Sequence, residues 1–182
     1  MTIALSHRIY MSDTRAGVRP LYTMGMLERP QTNLAQKLAQ RAKPRGARFI
    51  LIEDDPADVQ MLQEGFRGSR YEHDWHVFHA GQEALEYLRT LEKPWKSPCL
   101  VLLDLNLPGM DGRHVLTELK SDPKLKGIPV IILTTSNNPA DVQKAYELHA
   151  NSFITKPTHL NQLHTIARRI EEYWLDTVQL PR

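Results

Sequence analysis

The sequence predicts an α/β domain built on a parallel sheet with helices on both faces, and three observations carry that reading. Apolar runs of strand length recur after Gly46, at residues 49–52, 75–79, 100–103, 129–133 and 152–155. Stretches of helical pattern separate them, and strands alternating with helices make βαβ units whose sheet is covered on both sides. Three of the runs also end in chemistry: the first in Glu53-Asp54-Asp55, the third in Asp104, the fifth in Lys156-Pro157. Ligands of open α/β sheets bind at the carboxyl ends of the strands, so these side chains fall where a site is expected.

Each element has its own justification. Residues 1–30 show no sustained period, only scattered Gly, Pro and Arg, and read as irregular. Residues 33–42 place Leu34 and Leu38 four apart and predict a short helix ended near Pro44 and Gly46. This stretch is basic, with 8 Lys/Arg against 2 Asp/Glu over residues 1–46, whereas the remainder holds 15 against 19. A basic arm at 1–46 thus precedes an acidic body, and a solvated tail, self-docking or a partner each accounts for it better than nucleic acid does. Asp55-Pro56-Ala57-Asp58 offers an N-cap, a proline at the first helical position and an acid in the first turn. Asn138-Pro139-Ala140-Asp141 repeats that arrangement before the fourth helix, at 142–149. Asn151 stands where a left-handed residue usually ends a helix, and Thr158 is placed to cap a last helix reaching about Asp176. Five strands and five helices are expected, followed by a tail at 177–182.

Composition removes several classes of function. A single cysteine, Cys99, allows no intrachain disulfide and no metal finger, and it reads as a packing or surface thiol. No apolar stretch reaches the roughly 18 residues of a membrane span, and the first residues lack the apolar core of a secretory signal. A cytoplasmic protein is expected. His73, His76 and His79 recur every third residue, but an extended strand sends His76 to the opposite face from the other two, which argues against a metal site. Asp111 before Gly112 reads as turn chemistry.

The acidic cluster, the lone aspartate in Leu-Leu-Asp-Leu-Asn-Leu-Pro-Gly-Met-Asp-Gly, then Val-Ile-Ile-Leu-Thr-Thr, then Thr-Lys-Pro occur in one order at four strand ends. Over residues 47–176 the chain resembles the receiver domain of two-component response regulators. That resemblance implies a flavodoxin-like sheet of order 2-1-3-4-5, with its site at the switch point between the first and third strands. It also implies the roles of named residues. Asp104 would accept a phosphoryl group from a phosphohistidine on a sensor histidine kinase. Glu53, Asp54, Asp104 and the main-chain carbonyl of Asn106 would hold Mg²⁺. Lys156 would pair with a phosphoryl oxygen, and the Lys156–Pro157 bond would be cis. Thr134 would donate its hydroxyl to the bound group, Phe153 would turn inward as the aromatic switch, and Asn106 and Ser136 would flank the phosphoryl group and tune its lifetime.

The endings Leu148-His149-Ala150-Asn151 and Tyr173-Trp174-Leu175 are similar to those of the small response regulators that accompany cyanobacterial and bacterial phytochromes. This implies a single receiver acting in light signalling, a homodimer through the C-terminal helix and strand face, and output through protein contacts without a dedicated nucleic-acid-binding domain. Two other readings compete. One is a receiver-fold interaction module that no longer takes phosphate. The other is a haloacid-dehalogenase-like phosphatase, which needs a second acid two residues after its nucleophile, where this chain has Asn106.

Overall fold

The computed structural model describes residues 43–91 and 98–180. The basic arm with its expected helix at 33–42 lies outside the described residues except for 43–46, as do the last two residues of the tail. Strands β1 (Arg45–Ile52), β2 (Glu72–Phe78), β3 (Cys99–Leu103), β4 (Val130–Thr134) and β5 (Ser152–Thr155) form one parallel sheet in the order β2-β1-β3-β4-β5. Helices α1 (Pro56–Gly65), α2 (Gly81–Thr90), α3 (Gly112–Ser121), α4 (Pro139–Glu147) and α5 (Leu160–Glu171) alternate with them, and a π-helical segment, Glu172–Thr177, extends α5.

The period of two along each strand divides the core into two layers. Ile50, Ile52, Val101, Leu103, Val130 and Ile132 pack with Leu85 and Leu88 of α2, Leu116 and Leu119 of α3, and Ala145 of α4. The intervening residues Phe49, Leu51, Leu100, Leu102, Ile131 and Leu133 face the other way, onto Leu62 of α1 and Leu163, Ala167 and Ile170 of α5. β3 and β4 are buried along their whole length, which explains their uninterrupted apolar sequence.

Caps act much as their residue types predict. Asp55 accepts from Ala57 N–H at 2.8 Å, Asn138 from Ala140 N–H at 3.0 Å and Asp111 from Arg113 N–H at 2.8 Å. Two expectations are corrected. Thr158 is not the cap of α5: His159 holds that position, and its side chain makes no capping bond. The left-handed residue after α4 is His149, with φ 64°, not Asn151. Asn151 is committed elsewhere, because its side-chain oxygen accepts from Val130 N–H at 2.9 Å and from Lys120 Nζ at 3.1 Å. Lys120 also donates to the Ile128 carbonyl at 2.8 Å, and burial among these neutral oxygens pulls its pKa down to about 8.

The histidines follow the strand alternation. His73 lies in the Phe49, Phe66 and Trp75 cluster, with Nε2 2.8 Å from Glu171 Oε1, while His76 stacks on Tyr87 on the opposite face. Cys99 is buried, and that burial raises its thiol to about 11, as a packing residue requires.

Candidate functional site

The site is assembled by main-chain bonds that carry the sheet ladder one residue past each strand. Glu53 N–H donates to the Phe78 carbonyl at 2.9 Å, Asp104 N–H to the Ile52 carbonyl at 3.0 Å, and Lys156 N–H to the Thr134 carbonyl at 2.7 Å. Residues from three separate strand ends are therefore held in register at the switch point between β1 and β3. Gly112 allows the loop after β3 to close over this edge: a Cβ there would lie 2.1 Å from the Asp104 carbonyl oxygen and 2.7 Å from Leu105 Cα. Gly109 in the same loop takes φ 78°.

Lys156 is the centre of the arrangement. Its Nζ lies 2.6 Å from each of Glu53 Oε2, Asp58 Oδ2 and Asp104 Oδ2. The Lys156, Glu53 and Asp104 side chains are 7%, 4% and 6% exposed, so the charges meet out of water. Burial works against the Asp104 carboxylate, but hydrogen bonds from Lys156 and from Asn106 N–H, at 3.0 Å, outweigh it and hold its pKa below the ordinary value. Glu53 goes the other way: burial pushes it above the ordinary range in spite of Lys156. Burial also opposes the Lys156 charge, and the three carboxylates overcome that and raise its pKa. The arrangement supplies a buried, ionised oxygen nucleophile beside a fixed cation, with no proton to remove before attack.

The other expected residues are placed as follows. Thr134 is fully buried at the end of β4, and its hydroxyl oxygen is 3.5 Å from Asn106 Nδ2. Phe153 is half-buried against the core layer that α2 and α3 cover. The Ser136 hydroxyl donates to Asp141 Oδ2 at 2.5 Å, and Asp141 also accepts from Arg113 at 2.6 Å, so Ser136 is tied to α4 and through it to α3. Pro157 corrects an expectation: no cis peptide occurs among the described residues, so the Lys156–Pro157 bond is trans, the form an X–Pro bond prefers by default. Lys156 reaches the carboxylates with that bond trans, and its own N–H continues the β4–β5 ladder.

Three acids, Glu53, Asp58 and Asp104, bring carboxylate oxygens within 4.8 Å of one another. Asp54, half-buried, is not among them. Asp58 was not singled out as a site residue from the sequence, where it served as a first-turn acid. The signal was nevertheless present: side chains on a helix lean toward its N-terminus, so an acid in the first turn after a strand-end cluster points back over that strand end. All three donors are hard oxygens, the chemistry that suits Mg²⁺ or Mn²⁺, and the Lys156 ammonium already sits among them as a cation.

The family profile described as the response regulator receiver domain matches residues 49–168. The chain belongs to the response regulator receiver family. Response regulator Rcp1 of Synechocystis is 44% identical over 135 residues, which are 73% of this chain and 92% of that protein. The crystal structure of the Mn²⁺-bound form of Rcp1 superposes with a TM-score of 0.65 at 42% identity, covering 75% of this chain and 99% of the other. The phosphorylated cyanobacterial phytochrome response regulator RcpA gives 0.67 at 44% identity over 76% and 99%. The regulator RPA3017, from red light signaling in R. palustris, gives 0.67 at 27% identity over 75% and 99%. This receiver therefore carries the five-stranded fold of its relatives, and among its described residues no helix is long and apolar enough to cross a membrane.

Proposed function

We propose that residues 47–176 form a phosphoacceptor domain that takes a phosphoryl group on Asp104 from a sensor histidine kinase of the phytochrome type. The observation that carries this reading is the buried pair of Asp104 Oδ2 and Lys156 Nζ, 2.6 Å apart. An Asp104 oxygen attacks phosphorus, the P–N bond of the donor phosphohistidine breaks, and the imidazole leaves with that electron pair. Lys156 offsets the charge of the phosphoryl oxygens, the Thr134 hydroxyl donates to one of them, and Asn106 and Ser136 bound the path of the water that later releases phosphate. Glu53, Asp54, Asp104 and the Asn106 carbonyl would hold Mg²⁺, which when bound supplies the charge neutralisation that one lysine cannot complete. The domain catalyses its own phosphorylation and hydrolysis and turns over no separate substrate.

The kinase assignment rests on similarity to RcpA and to RPA3017, which span almost the full length of those chains. A cytoplasmic setting follows from such a donor. Output would pass through protein contacts, with Phe153 packing inward as Thr134 moves, and a homodimer would form through the α4, β5 and α5 face. The exposed Tyr146 on α4 supports that face as a contact surface. The basic arm at 1–46 and the tail at 177–182 would flank the domain. Incubation with acetyl phosphate and Mg²⁺ followed by intact mass measurement tests the reading. One phosphoryl increment, lost when the metal is chelated, is expected; an unmodified, folded protein under the same conditions would sink it.

A further inference from the structure

Lys156 has a third carboxylate partner that the four strand-end motifs do not contain. Its Nζ is 2.6 Å from Asp58 Oδ2 as well as from Glu53 and Asp104. An ammonium has three N–H donors and no acceptor, so its donor capacity is fully taken by these three oxygens. A phosphoryl oxygen can engage Lys156 only by displacing one of them or by sharing its bond.

The three are not equally able to yield. The Glu53 side chain is 4% exposed, and its second oxygen accepts from Asp55 N–H at 3.2 Å, so it has no route back to water and would leave Lys156 only for the Mg²⁺ it would hold. Asp58 is 26% exposed, on the first turn of α1, where solvent can replace the lost bond. Resting on the phosphoacceptor reading above, we propose that Asp58 is a positioning residue that competes with the phosphoryl group for Lys156. It holds the ammonium while Asp104 is unmodified and releases it when a phosphoryl oxygen arrives. Its charge also opposes the incoming group directly, since like charges at this range raise the free energy of both. Asp58 thus sets how much phosphodonor is needed to fill the site.

The test follows phosphorylation of the full chain by acetyl phosphate with Mg²⁺, measured as the half-saturating donor concentration and the maximal rate. Asp58→Asn keeps the side-chain shape and removes its charge; Asp58→Ser serves if that variant is poorly folded. Asp55→Asn is the control, because it removes one charge from the same loop, still caps α1, and lies on a side chain that does not touch Lys156. We expect Asp58→Asn to lower the half-saturating concentration about tenfold at saturating Mg²⁺, because a neutral amide oxygen holds Lys156 less strongly than a carboxylate, with this shift exceeding any change in maximal rate. Asp55→Asn should stay at the wild-type value. An Asp58→Asn value equal to wild type, or an equal shift in Asp55→Asn, overturns the competition. Absence of any label on the wild type instead takes down the phosphoacceptor reading, and this inference with it.

Discussion

Lys156 and the acids around it show how far single residues determine this site. With Lys156→Ala, the nearly buried Glu53 and Asp104 lose their counter-ion, and removing one partner of a buried pair costs about 3 kcal/mol near neutral pH. The sign of the pH dependence follows from linkage. In the wild type the Asp104 pKa is depressed, so its contribution is present above the unfolded carboxylate value and is lost as pH falls through the folded one. In the variant, loss of Lys156 lets burial raise Asp104 as well and raise Glu53, already above its ordinary value in the wild type, further still, so protons bind first in the folded state and acid relieves the variant more than the wild type. The stability gap between wild type and Lys156→Ala, measured by urea unfolding, should narrow as pH falls from about 7 toward 5. A gap that is constant or widens contradicts the assignment of Lys156 as the buried counter-ion. The strand-end positions of Asp104 and Lys156 were legible in the sequence because a strand end before a turn fixes where a side chain points, while Thr134 was reached only through the resemblance to receiver domains. Asp58 was not, because its first-turn position already had a sufficient explanation in the helix dipole. The left-handed His149 was missed for a related reason: asparagine is the better residue for that conformation, but Asn151 was needed to bind Val130 and Lys120.

The elements hold these residues through close backbone contacts and caps. Where α3 meets the end of β3, the Gly112 position faces the backbone of Asp104 and Leu105, which cannot swing aside as a flexible side chain can. Gly112→Ala should therefore destabilise the domain by about 2–3 kcal/mol, read from denaturant midpoints at constant slope. A neutral substitution would mean that α3 can move off the strand end and that the site loop is not held by this backbone contact. The helix starts at Pro56 and Pro139 were readable, because Asp or Asn before Pro satisfies a free N–H and presets the backbone. The start of α5 was not, because no side chain caps it and packing of Leu163, Ala167 and Ile170 fixes its position instead. The link from Ser136 through Asp141 to Arg113 joins α3, α4 and the loop after β4, so movement at Thr134 has a physical connection to the α4 face.

For the molecule as a whole, the two-layer core follows from alternation that the sequence displays openly, since consecutive apolar residues in β3 and β4 must find cover on both sides, whereas the strand order came from the resemblance to receiver domains and is the order observed. The order then brings β1 and β3 side by side and the β5 lysine within reach of both, although Glu53 and Lys156 are 103 residues apart in the chain. What sequence could not give was the contact of the end of α5 and its π-helical extension with β2 and the residue before it, where Glu171 meets His73 and Asp176 meets Tyr71, because those pairings depend on how α5 crosses the sheet. On the proposed reading, the fold presents Asp104 to a phosphodonor. Borohydride reduction of phosphorylated protein converts an aspartyl phosphate to the corresponding alcohol, and peptide sequencing by tandem mass spectrometry then locates it. Homoserine is expected at position 104 in the wild type and nowhere in Asp104→Asn; a reduced residue at any other position, or an Asp104→Asn protein labelled as well as wild type, would rule out Asp104 as the phosphoacceptor.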